Sequence, residues 1–489
     1  MKKLIILGLA WLASLAACTA ALAPQASADS APEAPAPAAL TRPNILFIFT
    51  DQQTIGALSC AGNPYLHTPA MDSLAARGMR FEKSYCTYPL CAPSRGSLFT
   101  SRTPHELGIY ENDDAELASK KFLNAQTMGE IFQAAGYETA YAGKWHLNAP
   151  WPGFGSGHKI PGFATLPLVS GKNISKIDKK KEAKGLTADP SIADASIAFL
   201  RQKHDKPFLL VTSILNPHDI CEYSSCEALQ ALVPSDPSKL PPARPNMHDT
   251  ETLPSALQNF TQSYVTEKKD WTELQWRQYL YAYYRLVEAS DREVGRVLAA
   301  LQESAAASNT IIVFTSDHGE MMGSHQMCRK QRLYEEAVAV PLVVVLPDGK
   351  KAWVNKRHLV SGLDIMPTFL DYAGIAIPPS LGGRSLRPLV EGQEVPWRDF
   401  VVSELNGAAE ARMVRSARYK YIVFATGENR EQFFDLEKDP GELKNLIAEP
   451  SLAAEIEKHR KMLVQWRLDT HDEIGKRAPG KGKKGKEEE

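Results

Sequence analysis

Residues 44–51 spell NILFIFTD, a run of apolar side chains without alternation that ends at Asp51 and is followed by Gln52. Continuous runs of this kind are typical of strands that are buried on both faces of a parallel sheet. Three other segments have the same form and also end in polar residues, and they span 139–146, 207–219 and 310–319. The chain therefore contains several strands that each deliver polar side chains at their carboxyl ends.

Helical patterns lie between these strand segments. A helix start at Thr68-Pro69 precedes an amphipathic stretch, the pattern at 125–135 stops at Gly136, and residues 273–301 form a long amphipathic pattern. Strands that alternate with helices predict an α/β fold, here a large doubly wound mixed sheet flanked by helices.

The pattern changes near residue 396 to short strand-like pieces followed by a helix pattern at about 451–468. This change predicts a smaller C-terminal α+β subdomain with an antiparallel sheet and a helix. We therefore expect a main α/β domain over 43–395, the subdomain over 396–470 and a charged, disordered tail over 471–489.

The N-terminal residues predict export. Residues 1–23 have a charged start and an apolar run that is short for a membrane span, as in an export signal, and 24–42 form an Ala/Pro-rich linker. The residues LAAC before and at Cys18 resemble the lipobox of bacterial lipoproteins, which implies a membrane lipid anchor, whereas the later 21–23 suits an ordinary signal peptidase. Both alternatives stay open, and both make the protein periplasmic or tethered to the outer membrane of a bacterium.

The charge balance gives no general reason to expect an anionic partner. The formal net charge of the 489 residues is -1, so we expect no nucleic acid as partner. An affinity for an anion has to come from a local cluster.

Two strand ends carry pairs of metal ligands. Asp51-Gln52 and Asp317-His318 each follow an apolar run, and open α/β sheets bind ligands beyond the carboxyl ends of their strands. The oxygen ligands suit Ca²⁺ or Mg²⁺, whereas the nitrogen of His318 leaves Mn²⁺ or Zn²⁺ open. A single Asp in this position often only caps a turn, but two such pairs favour a divalent cation.

Further cations and histidines follow the same strand ends or lie nearby. Lys144, His146, His218 and Lys330 are the residue types that neutralise an anionic ester and supply a proton to its leaving oxygen. Asp364 is placed to cap a helix, and we leave it out of the site.

Cys91 has three interpretations from its sequence alone. It stands five residues after Cys86, so a disulfide, a metal pair and a chemically altered cysteine are all open. Pro93 suits the first turn of a helix, which places Cys91 near the positive helix end and Arg95 one turn further on. A thiolate nucleophile is therefore also a reasonable hypothesis.

Cys91-x-Pro93-Ser94-Arg95, followed by Leu98, Thr100, Arg102 and Pro104, resembles the signature of the type I, formylglycine-dependent sulfatases of the alkaline phosphatase superfamily. The other strand-end motifs agree with that family in order and spacing, and the likeness extends over about 43–470.

The resemblance implies that a maturation enzyme oxidises Cys91 to formylglycine, whose hydrated aldehyde is the nucleophile and also a metal ligand. One hydroxyl, activated beside Asp317 and the metal, would attack sulfur and form a sulfated enzyme intermediate. The resemblance gives the other residues these roles: His218 and Lys330 serve the leaving alcohol, His146 accepts the proton of the second hydroxyl, and Lys144 and Arg95 hold the charged groups.

The resemblance also implies a substrate and a cofactor. The substrate would be a sulfated small molecule or saccharide, and the metal would be Ca²⁺, with Mg²⁺ or Mn²⁺ as alternatives. If Cys91 is converted, Cys86 cannot be its disulfide partner, and five cysteines remain after Cys18 and Cys91 are set aside. Residues suggested for a sugar pocket are Trp145, His105, Trp151, Arg102 and the turn at 404–406.

The sequence departs from the family pattern at Gln52, His318 and Ser101, where Asp, Asn and Gly are frequent. Gln52 and His318 also resemble the phosphonate monoester hydrolases and choline sulfatases, which keeps phosphonate or phosphodiester hydrolysis as an alternative. An unmodified, non-catalytic tethered binding protein is an alternative of another class.

Overall fold

The computed structural model describes residues 42–112, 125–147, 159–168, 178, 180–248, 253–258, 271–347, 349 and 352–475. The predicted export signal, Cys18, nearly all of the predicted linker, Trp151 and the tail beyond 475 lie outside the described residues. Within the described part of the chain, no helix has the length and apolar character that crossing a membrane requires.

The main sheet has eight described strands in the order β5-β4-β6-β1-β7-β8-β2-β9. Its central strand, β1, pairs in parallel with β6 on one side and β7 on the other, whereas β7 and β8 are antiparallel. A short parallel pair, β3 with β10, lies apart from it. The strands of these two sheets are β1 Asn44–Asp51, β2 Met79–Phe81, β3 Ser84–Tyr85, β4 Glu138–Gly143, β5 Ala164–Thr165, β6 Phe208–Pro217, β7 Thr310–Ser316, β8 Leu342–Val345, β9 Trp353–Asn355 and β10 Val360–Ser361.

Helices cover both faces of the main sheet. Successive side chains of β1 point to opposite faces, so Phe47 and Phe49 pack in one apolar cluster and Leu46 and Ile48 in another. Both faces of the strand are therefore dry, which is why its apolar run does not alternate. The helices are α1 Pro69–Ala75, α2 Cys91–Thr100, α3 Pro104–Leu107, α4 Met128–Ala134, α5 Lys184–Leu200, α6 Glu227–Gln230, α7 Glu273–Glu303, α8 Glu335–Val338, α9 Ile365–Tyr372, α10 Arg387–Val390 and α11 Ala453–Thr470.

A second, antiparallel sheet has the order β11-β12-β13-β14 and carries helix α11. Val414 and Phe433 of this sheet pack with Ile456 and Leu463 of α11 in an apolar cluster of their own. Its strands are β11 Phe400–Leu405, β12 Ala411–Ser416, β13 Tyr419–Phe424 and β14 Glu431–Asp435. The predicted fold class is confirmed, and the domain boundaries stay predictions.

The topology brings four strand ends to one edge of the main sheet. Strands β4, β6, β1 and β7 are neighbours and run in parallel, so their carboxyl ends lie side by side. The polar residues that follow these strands in the sequence are therefore delivered to the same place.

Candidate active site

Asp51 and Asp317 meet because β1 and β7 are paired in register, with Thr50 opposite Ser316. Arg95 lies between the two carboxylates: its Nη2 donates to Asp51 Oδ2 at 2.8 Å and its Nε donates to Asp317 Oδ2 at 2.9 Å. All three side chains are fully buried. Because Arg95 uses Oδ2 of Asp51, the Oδ1 atom of Asp51 faces Cys91. In contrast, Oδ1 of Asp317 accepts from the backbone N–H groups of Gln52 and His318.

Cys91 is the first residue of helix α2, at the end where backbone N–H groups favour an anion. Its Sγ lies 3.6 Å from Asp51 Oδ1 and 3.2 Å from His318 Nε2. The other ring nitrogen of His318, Nδ1, donates to the carbonyl oxygen of Gly319 at 3.0 Å. In the neutral ring, Nε2 therefore carries the lone pair, and it points towards Cys91.

Two buried lysines contact this group. Lys144 Nζ donates to Asp51 Oδ2 at 2.5 Å. Lys330 Nζ donates to Gln52 Oε1 at 2.5 Å and lies 3.3 Å from Cys91 Sγ. Lys330 therefore directs its charge at position 91, whereas Lys144 directs its charge at Asp51. We refer to Asp51, Asp317, Arg95, Lys144 and Lys330 as the strand-end cluster.

The charges of the strand-end cluster stabilise one another. Burial alone would raise the pKa of Asp51, but the positive charges of Lys144, Arg95 and Lys330 hold that pKa well below its usual range. Burial likewise opposes the charge of Lys330, yet the negative groups around it raise its pKa. Burial and Asp51 act to raise the pKa of Cys91, and the nearby cations outweigh both and lower it. The site thus favours negative charge at position 91.

His146 and His218 complete the predicted set. His146 follows β4 with a backbone φ of 62°, and His218 follows β6. Burial, together with the charges of Lys144 and Arg95, lowers the pKa of His146 well below its usual range. Burial lowers the pKa of His218 in the same way, with Lys330 and Lys144 adding to it. A lowered pKa favours the neutral form of each ring, which has a lone pair that can accept a proton.

The donor set fits a divalent cation. One ligand atom from each of Asp51, Cys91, Asp317 and His318 lies within 4.8 Å of the others. Two carboxylates and an amide oxygen, from Gln52, are the hard ligands that Ca²⁺, Mg²⁺ and Mn²⁺ prefer.

Sequence reasoning did not identify several residues that orient this site. Ser213 Oγ accepts from Arg95 Nη1 at 3.0 Å and donates to the carbonyl oxygen of Lys144 at 2.8 Å. Tyr141 donates to the same carbonyl oxygen at 2.6 Å, and Ser94 donates to the carbonyl oxygen of Asp317. A hydroxyl inside a largely apolar strand, as at Ser213, is the signal that could have indicated one of them.

Some residues suggested for a sugar pocket have other environments. Trp145 is buried and packs edge-on against Phe99 in the apolar core. His105 Nδ1 contacts Glu404 Oε1 at 2.9 Å, and it joins the main domain to the smaller sheet.

The prediction that Asp364 has a structural role agrees with the structure, although its contacts exceed a simple cap. Its carboxylate accepts from the backbone N–H of Ser361 and pairs with Arg398 through both oxygens, at 2.6 Å each. None of the described cysteines from Cys60 to Cys328 forms a disulfide, so the disulfide considered for Cys86 and Cys91 is not formed.

Comparison with known proteins agrees with this geometry. Residues 43–375 match the family model described as Sulfatase, and residues 323–469 match the model described as N-sulphoglucosamine sulphohydrolase, C-terminal. The Delta 4,5-hexuronate-2-O-sulfatase of Bacteroides thetaiotaomicron is 30% identical over 450 residues, which cover 88% of this chain and 90% of that protein. The N-acetylglucosamine-6-O-sulfatase of the same bacterium is 28% identical, with 88% of this chain and 86% of that protein covered.

A solved structure is similar along most of its length. The structure of a 2-O GAG sulfatase superposes with a TM-score of 0.75 at 27% identity, covering 88% of this chain and 93% of that chain. Together with the family match, these similarities show that this chain belongs to the sulfatase family and is a hydrolase of sulfuric esters.

Proposed function

We propose that this protein is an exported sulfatase that removes sulfate from a sulfated saccharide. It would use a formylglycine made from Cys91 by a maturation enzyme and a divalent cation, Ca²⁺, at the carboxyl ends of β1 and β7. The observation that supports this most directly is the position of Cys91: its Sγ stands at a helix N-terminus, 3.2 Å from His318 Nε2 and 3.3 Å from Lys330 Nζ.

The ligands of the cation would be Asp51, Gln52, Asp317, His318 and the modified residue 91. Arg95 holds Asp51 and Asp317 by their Oδ2 atoms, and the Oδ1 atom of Asp51 lies on the side of Cys91. A cation bound there would supply a Lewis acid for the oxygens of the ester. Carboxylate and amide oxygens form most of the donor set, which suits Ca²⁺, with Mg²⁺ and Mn²⁺ as alternatives.

The hydrated aldehyde of formylglycine would supply one hydroxyl that attacks sulfur and a second hydroxyl that allows sulfate to leave. The protein side chains bind charge and move protons around it. Lys330 Nζ sits beside position 91 and neutralises the negative charge of the sulfate group. His146 is neutral because burial and nearby cations lower its pKa, and it can accept the proton of the second hydroxyl.

The leaving alcohol oxygen needs a proton or a counter-charge. We assign this role to His218 and Lys330, since both lie near Asp51 and the charge of Lys330 acts on His218. Before an ester binds, burial and the nearby cations lower the pKa of His218, which favours the neutral ring. A bound sulfate ester adds negative charge, which favours the protonated imidazole.

Two relatives support a saccharide as substrate. Their names describe sulfatases of a Delta 4,5-hexuronate and of N-acetylglucosamine, and both align with nearly nine-tenths of this chain. We therefore expect the substrate to be a sulfated uronic acid or amino sugar.

Mass spectrometry of the peptide containing Cys91 tests the modification. Protein co-produced with a formylglycine maturation enzyme should carry an aldehyde at position 91, and protein produced without it should carry a thiol. A thiol in both preparations would contradict the proposal and would favour the unmodified binding protein.

A substrate panel tests the reaction. We expect release of sulfate from defined sulfated monosaccharides and disaccharides, with slower cleavage of phosphate diesters and phosphonate monoesters by the same preparation. Faster phosphoryl cleavage would instead favour the phosphonate or phosphodiester hydrolase.

Export and anchoring are a separate part of the proposal. Residues 1–23 have the pattern of an export signal, and Cys18 follows a lipobox-like sequence. Cell fractionation of the wild type and of Cys18→Ala should show the variant released from the membrane fraction if Cys18 carries a lipid. Equal distribution of the two would favour cleavage by an ordinary signal peptidase.

A further inference from the structure

A glutamine is an uncommon choice for a metal ligand because its two ends are chemically opposite. The carbonyl oxygen Oε1 can coordinate a cation, whereas the amide Nε2 only donates hydrogen bonds. A rotation of the amide by half a turn exchanges the two atoms with little change in shape. Gln52 can therefore serve as a ligand only if its surroundings select one orientation.

The backbone of Gln52 is held independently of this choice. It has a left-handed φ of 75°, its N–H donates to Asp317 Oδ1 at 3.0 Å, and its carbonyl oxygen accepts from Tyr283 at 2.9 Å. A non-glycine residue in this region is costly and persists where surrounding contacts enforce it. These backbone contacts do not determine which end of the Gln52 amide faces the cation.

We propose that Glu320 is a positioning residue that sets the orientation of the Gln52 amide, so that Oε1 is presented to the cation. Glu320 Oε2 lies 2.5 Å from Gln52 Nε2, and the side chain of Glu320 is fully buried. A carboxylate accepts hydrogen bonds and cannot donate them, so it pairs with the Nε2 end. This inference rests on the proposed function, in which Gln52 is a metal ligand.

The partner at the other end of the amide supports the same orientation. Lys330 Nζ donates to Gln52 Oε1 at 2.5 Å, and an ammonium group has no acceptor. In the opposite orientation, the amide oxygen would face the Glu320 carboxylate and the NH₂ would face the ammonium group. Cys221 does not select an orientation, because its Sγ lies 3.3 Å from Nε2 and 3.5 Å from Oε1.

Glu320 is itself held in place on its other oxygen. Its Oε1 accepts from the Tyr279 hydroxyl at 2.9 Å, from Arg329 N–H at 2.5 Å and from Met322 N–H at 3.3 Å. Hydrogen-bond partners therefore converge on both oxygens of Glu320. Glu320 also lies three residues after Asp317, so one loop provides two ligands and the carboxylate that orients a third.

Calcium affinity of the apo-protein tests this role without depending on activity. Glu320→Gln keeps the shape but places an NH₂ group either against Gln52 Nε2 or against the three donors around Oε1. We expect its Ca²⁺ dissociation constant from calorimetry to rise about tenfold or more, as for other groups that orient metal ligands.

The matched control is Glu336→Gln. Glu336 is also a buried carboxylate that accepts from an amide, Asn246 Nδ2, at 2.8 Å, but Asn246 is not a predicted ligand. We expect the Ca²⁺ affinity of the Glu336→Gln protein to stay within about twofold of the wild type, because the hydrogen bonds that orient the predicted metal ligands are unchanged. Equal affinities of the Glu320→Gln and Glu336→Gln proteins would overturn the inference.

A double-mutant cycle identifies the orientation as the cause. Gln52→Ala removes the amide that Glu320 is proposed to orient. We expect Glu320→Gln to weaken Ca²⁺ binding much less in the Gln52→Ala background than in the wild type, whereas additive effects would overturn the inference.

Two other results also need an interpretation: a Glu320→Gln protein that does not fold, and a wild type that binds no divalent cation. If Glu320→Gln does not fold, Tyr279→Phe carries the test: it removes one donor to Glu320 and should weaken Ca²⁺ binding about threefold, and an unchanged affinity would overturn the inference. If the wild type binds none of Ca²⁺, Mg²⁺ and Mn²⁺, the proposed metal site itself is wrong, which is a different result from wild-type binding that Glu320→Gln leaves unchanged.

Discussion

The strand-end cluster differs instructively from a second cluster of buried charge, which joins the small sheet to the main domain. We call Glu335, Glu442, Lys420 and Arg415 the seam cluster. Its Lys420 Nζ lies 2.9 Å from Glu335 Oε1 and 2.8 Å from Glu442 Oε1, and Lys420 is fully buried. The carboxylates of the seam cluster are thus committed to cations and backbone groups within the protein.

The strand-end cluster leaves ligand atoms directed at a common point. Arg95 and Lys144 use Oδ2 of Asp51, and the Oδ1 atom faces Cys91 Sγ at 3.6 Å. Burial and ion pairing are therefore shared by both clusters, and they do not by themselves indicate catalysis. Catalysis is indicated instead by ligand atoms that converge on one position and are not all paired with cations of the protein.

The largest expected effect separates Cys91 from its neighbour Cys86. Cys91→Ala removes the residue that becomes the nucleophile, so kcat/KM for a sulfated sugar should fall by about 10⁴-fold or more. Cys86→Ala is the matched control, because Cys86 is buried in the same stretch and its Sγ contacts only the carbonyl oxygen of Ala337 among the hydrogen bonds described, at 3.8 Å. Its activity should stay within a few-fold while unfolding free energy falls by about 1 kcal/mol. Comparable loss of activity in both variants would contradict the assignment.

Substitutions of two buried lysines, Lys420 and Lys330, should have different effects on stability and on activity. Lys420→Met leaves Glu335 and Glu442 without their shared cation, and urea unfolding should show a loss of about 3–5 kcal/mol with kcat of the folded protein little changed. The loss should be larger at pH 8 than at pH 6, because burial already raises the pKa of Glu442 to about 7 and protonation relieves the repulsion.

Lys330→Met is the matched control for that experiment. Its kcat/KM should fall about 10²–10³-fold, because a group that stabilises developing charge is lost, with a much smaller change in unfolding free energy. If Lys420→Met lost activity and Lys330→Met lost stability, the distinction between the two clusters would be wrong.

The smallest effect concerns how His105 holds the two sheets together. Its Nδ1 contacts Glu404 Oε1 and its Nε2 contacts the carbonyl oxygen of Thr470, both at 2.9 Å, so both nitrogens need to donate. Burial lowers the pKa of His105, but Glu404 and the Thr470 carbonyl outweigh it and raise the pKa. The stabilisation is therefore complete below the unfolded-state pKa of about 6.5 and is lost as pH rises through the folded-state pKa.

His459 provides a control of opposite sign. Burial lowers its pKa, so its stabilising contribution is present above about pH 6.5 and is lost on acidification. The difference in unfolding free energy between the wild type and His105→Gln should be about 1.5–3 kcal/mol at pH 5.5 and smaller at pH 8.5, whereas His459→Gln should show the reverse trend. A pH-independent difference for His105→Gln would show that the imidazole is not charged in the fold.

The ligand-bearing strand ends were predictable because the information is local. Residues 44–51 need only their own apolar run to indicate a strand buried on both faces, and the polar residue at its end follows from the same sequence. The helix that begins at Cys91 was predictable in the same way, from Pro93.

The supporting contacts were not predictable, because they join residues far apart in the chain. His105 and Glu404 are separated by 299 positions, and Gln52 and Glu320 by 268. Nothing near Lys420 or Glu442 in the sequence distinguishes either from a solvated surface charge. Trp145 shows the same limit, since its place in the core depends on Phe99 and not on its neighbours in the motif.

The sequence by itself determined which side chains this protein can use: the residue types at the strand ends, the cysteine at a helix start and the family pattern that contains them. The tertiary structure alone decided how each is used, including which oxygen of Asp51 faces Cys91 and which end of Gln52 faces Lys330. The physical reason is that backbone patterns depend on neighbours a few residues away, whereas the direction of a buried charge depends on every distant group packed against it.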